Sequence, residues 1–288
     1  MPRLFNFSVF ATELVSQEKK RHRKMKIKPC ANRTILNQCT LENHNYQVDP
    51  YIGCEHYCYY CYALNQAETD WRKEVLIHKD ITSQLESELA GITPQTIYMG
   101  WETDPYQPCE AEYRQTRQVF ELLLERGFSA SILTKSDLVL RDSDILQKMN
   151  AANVSVSVAF NNNRTRRLLE ANTIDTERRI EALHQMKDAG VRTGALLCPV
   201  IPFITDAIQL INMLAPCADV IWIYGLSIID RSDENWSNME KILSREFPGL
   251  LERIEPAIFS KEHSYWTQLR DELATLKNDR QLNLKIRL

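Results

Sequence analysis

Three of the eight cysteines lie close together, as Cys54, Cys58 and Cys61 in the spacing C-x3-C-x2-C. Thiols this near in sequence are poor disulfide partners, and one bridge would leave the third thiol unbonded. A structural zinc ion needs four ligands and usually takes them from paired C-x2-C motifs. His56 could be the fourth ligand, but it lies between the first two cysteines and would crowd them.

Iron–sulfur clusters are also held by cysteine thiolates, commonly four to a four-iron cubane. Three thiolates on such a cubane leave one iron open to another ligand, which is a catalytic arrangement rather than a purely electron-carrying one. The cysteine loop therefore predicts a 4Fe-4S cluster, with a zinc site as the alternative.

The loop resembles the cluster-binding motif of radical S-adenosylmethionine (radical SAM) enzymes, C-x3-C-x-(aromatic)-C, with Tyr60 as the aromatic residue. The run from Val48 to Ala63, V-D-P-Y-I-G-C-E-H-Y-C-Y-Y-C-Y-A, is similar to the version found in the spore photoproduct lyase-like branch. A second motif of that branch, T-D-P-Y-Q-P, occupies residues 103–108. The segment 33–37 resembles the short leader that precedes the cluster loop there.

The composition is that of an ordinary globular chain of 288 residues, 44% hydrophobic and 25% charged, with a net charge of −3. A slightly acidic chain is not a general electrostatic binder of nucleic acid. No apolar run approaches the roughly 18 residues of a membrane span, and the N-terminus has no signal-peptide pattern. Together with the clustered cysteines, these features predict a cytoplasmic enzyme in a reducing compartment.

One segment has a strong local charge, because Lys19–Lys28 holds seven Lys or Arg residues and no acid. It is either a solvated arm or a contact for phosphates, since clustered Lys and Arg supply the sequence-independent part of nucleic-acid affinity. The segment therefore predicts a possible nucleic-acid partner, and both interpretations stay open.

From residue 47 onward, short apolar runs alternate with longer amphipathic ones, which is the pattern of successive βα units. We predict six strands, at residues 47–51, 96–100, 129–134, 154–160, 191–198 and 220–224. We predict helices at residues 81–89, 113–126, 143–151, 175–189, 206–214, 238–247 and 266–277. Glycines at 127 and 190 mark two of the helix ends.

Six parallel strands with covering helices predict an α/β fold, a partial (β/α)6 barrel of the TIM type, which the resemblance also implies. The predicted parts are a basic, irregular N-terminal lead-in at residues 1–46 and a core barrel at 47–230. A C-terminal helical extension, at residues 231–288, is predicted to pack on the barrel.

Polar residues at strand ends are candidates for ligand contact, because the chemistry of β/α barrels lies where strands run into loops. The second strand leads into Gly100, which allows close backbone approach, and into Glu102 and Thr103, which offer acceptors for an ammonium group or ribose hydroxyls. In radical SAM enzymes this strand end meets the amino group of the methionine moiety. A turn built on the D-P and Q-P dipeptides is the alternative.

The resemblance implies further cofactor contacts at the next strands. Lys135 follows the third strand and matches a lysine that helps to bind S-adenosylmethionine in the related lyases. Ser157, preferred over Ser155, is the serine expected on the fourth strand. Arg179, preferred over Arg178, matches an arginine whose geometry suits bidentate binding of the methionine carboxylate.

The lyases of this branch use a cysteine at the end of the second strand as a hydrogen donor. Here that position is Trp101 or Glu102, and the nearest thiol is Cys109, which we predict as the candidate donor. Cys198 lies in C-P-V-I-P, which resembles a segment near the adenosine, and replaces an alanine there. We predict Cys198 to be a small buried residue rather than a ligand.

The resemblance implies an enzyme that reductively cleaves S-adenosylmethionine at its 4Fe-4S cluster to give a 5′-deoxyadenosyl radical. Damaged DNA is the predicted substrate subtype, and RNA, a peptide or a small molecule is the alternative. A non-catalytic iron–sulfur or zinc protein is the alternative of another class. An electron donor such as flavodoxin or ferredoxin would be the protein partner.

Overall fold

The computed structural model describes residues 25–31 and 33–288. Its strands are β1 (Lys26–Pro29), β2 (Leu36–Gln38), β3 (Tyr46–Val48), β4 (Tyr51–Ile52), β5 (Glu74–Ile77), β6 (Thr96–Met99), β7 (Ser129–Thr134), β8 (Asn153–Val158), β9 (Arg192–Val200), β10 (Val220–Gly225) and β11 (Leu284–Arg287). Eight of them form one sheet in the order β11-β10-β9-β8-β7-β6-β3-β2. All neighbours are parallel except β2 and β3, which confirms the predicted parallel sheet.

The sheet is curled rather than flat. Eight strands about 4.8 Å apart would place the edge strands roughly 34 Å from each other in a flat sheet. Arg287 on one edge strand nevertheless pairs with Glu42, in the turn after the other edge strand, at 3.0 Å. Since a single ion pair spans the distance between the two edges, the sheet has the form of an incomplete barrel.

A second, three-stranded sheet has the order β1-β5-β4. The predicted strand at 47–51 is therefore wrong in one respect, because β3 belongs to the large sheet and β4 to the small one. The lead-in is also less irregular than predicted, since β1 and β2 both lie before residue 46. Residues 1–24 and most of the basic segment Lys19–Lys28 lie outside the described residues.

The helices are α1 (Ile81–Leu89), α2 (Glu110–Tyr113), α3 (Gln115–Glu125), α4 (Ser143–Leu146), α5 (Asn163–Leu169), α6 (Thr176–Asp188), α7 (Ala207–Leu214), α8 (Glu234–Glu246), α9 (Leu251–Phe259) and α10 (Ser264–Asp279). The predicted helix at 113–126 is divided, because Arg114 adopts a left-handed conformation with φ of 53°. The predicted helix at 143–151 ends early, at Leu146. Among the described residues, no helix combines the length and the apolarity needed to cross a membrane.

The parallel strands bury one face and leave the other partly open. On β8, Val154, Val156 and Val158 are fully buried, as strict alternation along a strand predicts. On β9, Leu197 belongs to the same outer core, whereas Cys198 points to the opposite face and is half-buried. The outer face therefore packs under the helices, and the inner, concave face is available to ligands.

The C-terminal part packs against both the barrel and the cysteine loop. Trp236 and Met239 of α8 belong to one hydrophobic cluster with Cys58 and Tyr60. β11 extends the parallel sheet beyond β10, which the sequence analysis did not predict. The division of the chain at residues 46 and 230 stays a prediction.

Gly100 is required by the packing of two strands. Its φ is 104°, and a Cβ placed there would lie 2.3 Å from Leu133 O on β7. We expect Gly100→Ala to lower the free energy of unfolding by more than about 3 kcal/mol, because backbone strain and a backbone clash add. Urea unfolding is the measurement.

Gly91→Ala is the matched control, because Gly91 has a similar φ of 81° and a Cβ there would meet nothing within 4 Å. Gly91→Ala should lower the free energy of unfolding by about 1 kcal/mol, because only the backbone conformation opposes the new side chain. Equal losses in the two variants would contradict the assigned clash.

Candidate active site

The cysteine loop begins directly after β4 and ends where a 3₁₀ turn starts at residue 62. Two tight turns shape it, since Tyr57 N donates to Cys54 O at 3.2 Å and Cys61 N donates to Cys58 O at 3.0 Å. Cys54 and Cys58 are each 8% exposed, and Cys61 is half-buried. The three predicted metal ligands therefore share one compact, largely buried loop.

The thiols of the cysteine loop lie in surroundings that keep them neutral until a metal binds. Burial raises the pKa of Cys54 to about 12, and it raises the pKa of Cys58 well above its usual range, against the opposing charge of Lys135. Such thiols stay protonated at neutral pH until a metal displaces the proton. The backbone N–H groups of Asp104 and His56 oppose this rise in the pKa of Cys54. The donor set therefore fits the predicted cluster.

The T-D-P-Y-Q-P segment braces the cysteine loop. Gln107 is fully buried, and its Nε2 donates to Gly53 O at 3.0 Å. Its Oε1 accepts from Glu55 N at 2.9 Å, and Asn172 Nδ2 donates to Glu55 O at 2.9 Å. Gln107 and Asn172, which are 52 and 117 residues from Glu55 in the sequence, thus hold the backbone of the loop in place.

His56 contacts protein partners through both ring nitrogens. Its Nδ1 lies 3.1 Å from Asn172 O, and its Nε2 lies 3.3 Å from Asp104 Oδ2 without the alignment of a hydrogen bond. Burial alone would raise the pKa of Asp104, but His56 and the donors Thr134 Oγ1 and Lys135 N outweigh it and lower that pKa to about 2. His56 therefore ties the loop to the end of β7, an arrangement that does not favour it as a zinc ligand.

Tyr60 is anchored by a buried ion pair. Its hydroxyl donates to Glu170, a fully buried carboxylate that also accepts from Arg179 at 2.6 Å and from Thr173 at 3.3 Å. Burial would raise the pKa of Glu170, but the charges of Arg179 and Lys135 lower it instead. Sequence reasoning missed Glu170, since a single acid after a short helix forms no motif.

Arg179 does not face the position predicted for it. It is fully buried, and its N–H groups donate to Glu170, to Ser157 O at 2.8 Å and to Ile174 O at 3.2 Å. A guanidinium already engaged in this way has little capacity left for a methionine carboxylate. Its neighbour Arg178 is a surface charge, with a side chain 61% exposed that pairs with Asp137 at 2.5 Å.

Lys135 and Ser157, two of the predicted cofactor contacts, come together beside Tyr60 from separate strands. Lys135 Nζ donates to Ser157 Oγ at 2.8 Å and lies 6.0 Å from the centre of the Tyr60 ring. Burial would lower the pKa of Lys135, but its neighbours Cys58 and Glu170 raise it, so the ammonium stays charged. The structure thus places one cation between the cysteine loop and the concave face.

The residues predicted after the second strand have mainly structural contacts. The backbone N–H groups of Glu102 and Thr103 both donate to Asp49 Oδ1 at 3.1 Å, and Thr103 Oγ1 donates to Tyr51 O at 3.3 Å. The Glu102 side chain is exposed. At Gly100 the missing side chain makes room for a neighbouring strand, so ligand approach is not needed to explain that glycine.

Two of the five thiols outside the loop, Cys109 and Cys198, differ in placement. Cys109 is buried with Tyr51 and Val75 against the small sheet, and its backbone N–H donates to Glu55. This position argues against its predicted role as a hydrogen donor. Cys198 is half-buried on the concave face, and Ser157 Oγ lies 3.4 Å from its carbonyl oxygen.

Within residues 25–31 and 33–288, no three His, Cys, Asp or Glu side chains converge tightly enough for a single metal ion. This finding concerns a mononuclear site such as zinc, whose ligands all bind one ion. The thiolates of a cubane bind separate iron atoms, so the finding leaves the cluster prediction as it stands.

The chain belongs to the radical SAM superfamily, whose family model, "Radical SAM superfamily", matches residues 48–214. It is therefore a radical SAM enzyme, and its cofactors are a 4Fe-4S cluster and S-adenosylmethionine. These assignments confirm the resemblance seen in the sequence, and they also make an electron donor a requirement of the reaction.

Relatives of known sequence are similar over most of the chain. An uncharacterized protein of Methanocaldococcus jannaschii is 26% identical over 250 residues, which are 84% of this chain and 90% of that protein. A radical SAM Nalpha-GlyT isomerase of a Pseudomonas phage is 25% identical over 179 residues, 61% of this chain and 35% of that protein.

Solved structures support the fold. Spore photoproduct lyase complexed with dinucleoside spore photoproduct has a TM-score of 0.63 and 13% identity, covering 92% of this chain and 83% of that one. SuiB of Streptococcus suis bound to S-adenosylmethionine has a TM-score of 0.53 and 12% identity, covering 99% and 57%. The likeness confirms the α/β barrel of the radical SAM type.

Arg179 and Arg178 give a matched pair of variants. We expect Arg179→Gln to lower the free energy of unfolding by about 3–5 kcal/mol, because it leaves the buried Glu170 charge uncompensated. Arg178→Gln should change it by less than about 1 kcal/mol, since that ion pair is exposed. Urea unfolding of both variants is the measurement, and similar losses would contradict the assigned roles.

Asp49 should make stability depend on pH near neutrality. Burial raises its pKa to about 7, although the N–H groups of Thr103 and Glu102 oppose the rise. Native Asp49 therefore keeps a proton that the unfolded chain releases near pH 4, and stability falls as the pH rises from about 4 to 7. The free energy of unfolding of Asp49→Asn should therefore exceed that of the wild type by an amount that grows with pH and reaches a few kcal/mol by about pH 7.

The measurement is urea unfolding of wild type and Asp49→Asn at several pH values. Asp271→Asn, at an exposed aspartate, is the control and should track the wild type at every pH. A constant difference between Asp49→Asn and the wild type from pH 4 to 8 would show that Asp49 is ionised throughout.

Proposed function

We propose that Cys54, Cys58 and Cys61 hold the 4Fe-4S cluster and that S-adenosylmethionine binds beside it on the concave face. The observation that carries the proposal is the meeting of the cysteine loop with Lys135, whose ammonium lies between the loop and Ser157. When bound, the cluster supplies the electron that cleaves a carbon–sulfur bond of S-adenosylmethionine and starts radical chemistry.

The chain's own groups position the cofactor and exclude water. Lys135 acts as a point charge for the methionine carboxylate, and Ser157 Oγ holds that ammonium in place at 2.8 Å. Tyr60 forms a wall of the site because Glu170 fixes its hydroxyl. Arg179 acts through Glu170 as a positioning residue, and Gly100, Glu102 and Thr103 form the turn that closes this edge.

The concave face is lined by aromatic side chains. Tyr62 and Trp101 have ring centres 5.8 Å apart, and Trp222 and Tyr224 are stacked with centres 6.4 Å apart and planes 19° from parallel. Aromatic faces stack well on nucleobases. Together with the fold likeness to spore photoproduct lyase, this surface supports a damaged DNA base as the proposed substrate, and a peptide, as in SuiB, is the second candidate.

We further propose a cytoplasmic setting with flavodoxin or ferredoxin as the electron donor. All eight cysteines are free thiols, which suits a reducing compartment. The possible nucleic-acid contact through Lys19–Lys28 stays a prediction, because most of that segment lies outside the described residues.

Anaerobic reconstitution tests the proposed function. The wild-type protein should bind about four iron and four sulfide per chain and form 5′-deoxyadenosine from S-adenosylmethionine when reduced with dithionite. Cys54→Ala, Cys58→Ala and Cys61→Ala should each lose the cluster and the cleavage. Iron, sulfide and nucleoside analysis are the measurements.

Cys39→Ala is the control, because Cys39 is a half-buried thiol outside the loop, and it should keep the cluster and the cleavage. Zinc retention without deoxyadenosine would support a structural metal site and refute the enzyme. Deuterium transfer into deoxyadenosine from labelled DNA containing spore photoproduct, compared with a labelled peptide, distinguishes the two substrate candidates.

A further inference from the structure

A second strand-end site lies on the small sheet, where the radical SAM assignment gives no role to any residue. β1 and β5 are parallel and in register, with Pro29 opposite Ile77. The next residue of each strand is Cys30 and His78, respectively, so the register brings these two side chains together. Cys30 Sγ lies 3.6 Å from His78 Nδ1, and the residues are 8% and 5% exposed.

The pair opens on a cavity of about 410 Å³. This volume is within the range of small-molecule pockets. The cavity lies at the carboxyl ends of two parallel strands and beside the start of α1, which is where open α/β sheets bind ligands. The residues that line it are mostly of polar types and include Lys79, Asp80 and Glu88.

The geometry of the pair is that of a thiol and its base. Gln115 fixes the histidine backbone, since its Oε1 accepts from His78 N at 3.2 Å and its Nε2 donates to His78 O at 2.5 Å. Burial raises the pKa of the Cys30 thiol and lowers the pKa of His78, so both groups are neutral at rest. A neutral thiol beside a neutral imidazole becomes nucleophilic when the imidazole takes its proton.

Two other roles fit the pair less well. A structural disulfide is ruled out for Cys30, which is a free thiol. A structural zinc ion would need four ligands, and in the described part of the chain no third His, Cys, Asp or Glu joins the pair closely enough.

We propose that Cys30 is a nucleophilic thiol with His78 as its base, and that the cavity takes a small anionic disulfide that forms a mixed disulfide on Cys30. The Cys30 sulfur attacks one sulfur of the ligand, a new S–S bond forms and the ligand's own S–S bond breaks. The thiol proton passes through His78 Nδ1 to the departing thiolate, so no other oxidant or reductant is consumed.

The charge at the cavity sets the class of ligand. Lys79 and Arg33 are close enough to Cys30 for their charges to act on its thiol. Arg33 is paired with Glu68 at 2.8 Å, whereas Lys79 is exposed and forms no ion pair with any residue in the described ranges. The cavity lining also holds two carboxylates, but both accept backbone hydrogen bonds, Asp80 from Ser83 N at 3.1 Å and Glu88 from Ile35 N at 2.9 Å. Lys79 is therefore the charge available to a ligand carboxylate, which favours disulfides that carry carboxylates over cationic ones.

The test uses the reconstituted protein, in which the cluster occupies the loop cysteines, under anaerobic conditions. Oxidised glutathione should form one glutathionyl adduct per chain, located on Cys30 by peptide mass mapping, and Cys30→Ser should form none. His78→Gln should slow adduct formation by roughly 10²-fold, the usual contribution of a general base. Retention of the cluster and an unchanged melting curve would show that His78→Gln is folded.

The control thiol is Cys39, which is more exposed than Cys30 and has no imidazole partner among the described residues. Cys39→Ser should react at the wild-type rate, and the cationic disulfide cystamine should react more slowly than oxidised glutathione. Reaction first at Cys39, or a rate unchanged in His78→Gln, would refute the thiol–base pair. Zinc bound by the purified wild type and lost in Cys30→Ser would replace it with a metal site.

Discussion

The buried ion pair of Glu170 and Arg179 is the interaction on which the site depends most. Removing two opposite charges from water costs several kcal/mol for each, and mutual attraction offsets this cost only when the remaining hydrogen-bonding groups are satisfied. Here Glu170 accepts hydrogen bonds from Tyr60, Arg179 and Thr173. The other N–H groups of Arg179 donate to backbone carbonyl oxygens. The pair therefore locks the turn after α5, the start of α6 and the aromatic residue of the cysteine loop into one arrangement.

The same logic explains how a loop with little structure of its own can hold three thiols in place. Gln107 and Asn172 bind its backbone from two sides, and Asp104 links His56 to the end of β7. These contacts come from segments that the curled sheet brings together. An exposed ion pair between Glu42 and Arg287 marks where the two edges of that sheet meet, but an exposed pair contributes little energy. Closure must come instead from the twist of the strands and the core beneath them.

Local patterns were sufficient to predict the parallel strands, because alternation and apolar runs can be recognised along a few residues; the cysteine ligands and the roles of Lys135 and Ser157 stay predictions. What local patterns could not predict depends on partners distant in sequence. The choice between Arg178 and Arg179 as the buried residue is decided by Glu170, and the need for Gly100 is decided by Leu133 O on another strand. The strand at 47–51 reads as continuous, yet its ends pair with different sheets, and β11 is too short and mixed in polarity to be recognised alone.

The two strand-end sites of this protein show how one geometric rule leads to different chemistry. In the large sheet, the strands leading to Asp104, Lys135 and Ser157 end beside a loop of thiols, so charges and hydroxyls gather around a predicted metal cluster. In the small sheet, register alone sets one thiol beside one imidazole, and no third metal-ligating side chain in the described part of the chain joins them. The first arrangement favours binding of metal and cofactor, and the second favours proton transfer between two neutral groups. Since β5, which places His78, pairs with both β1 and β4, and β4 leads into the cysteine loop, a bulky adduct on Cys30 would act on the same small sheet that supports that loop.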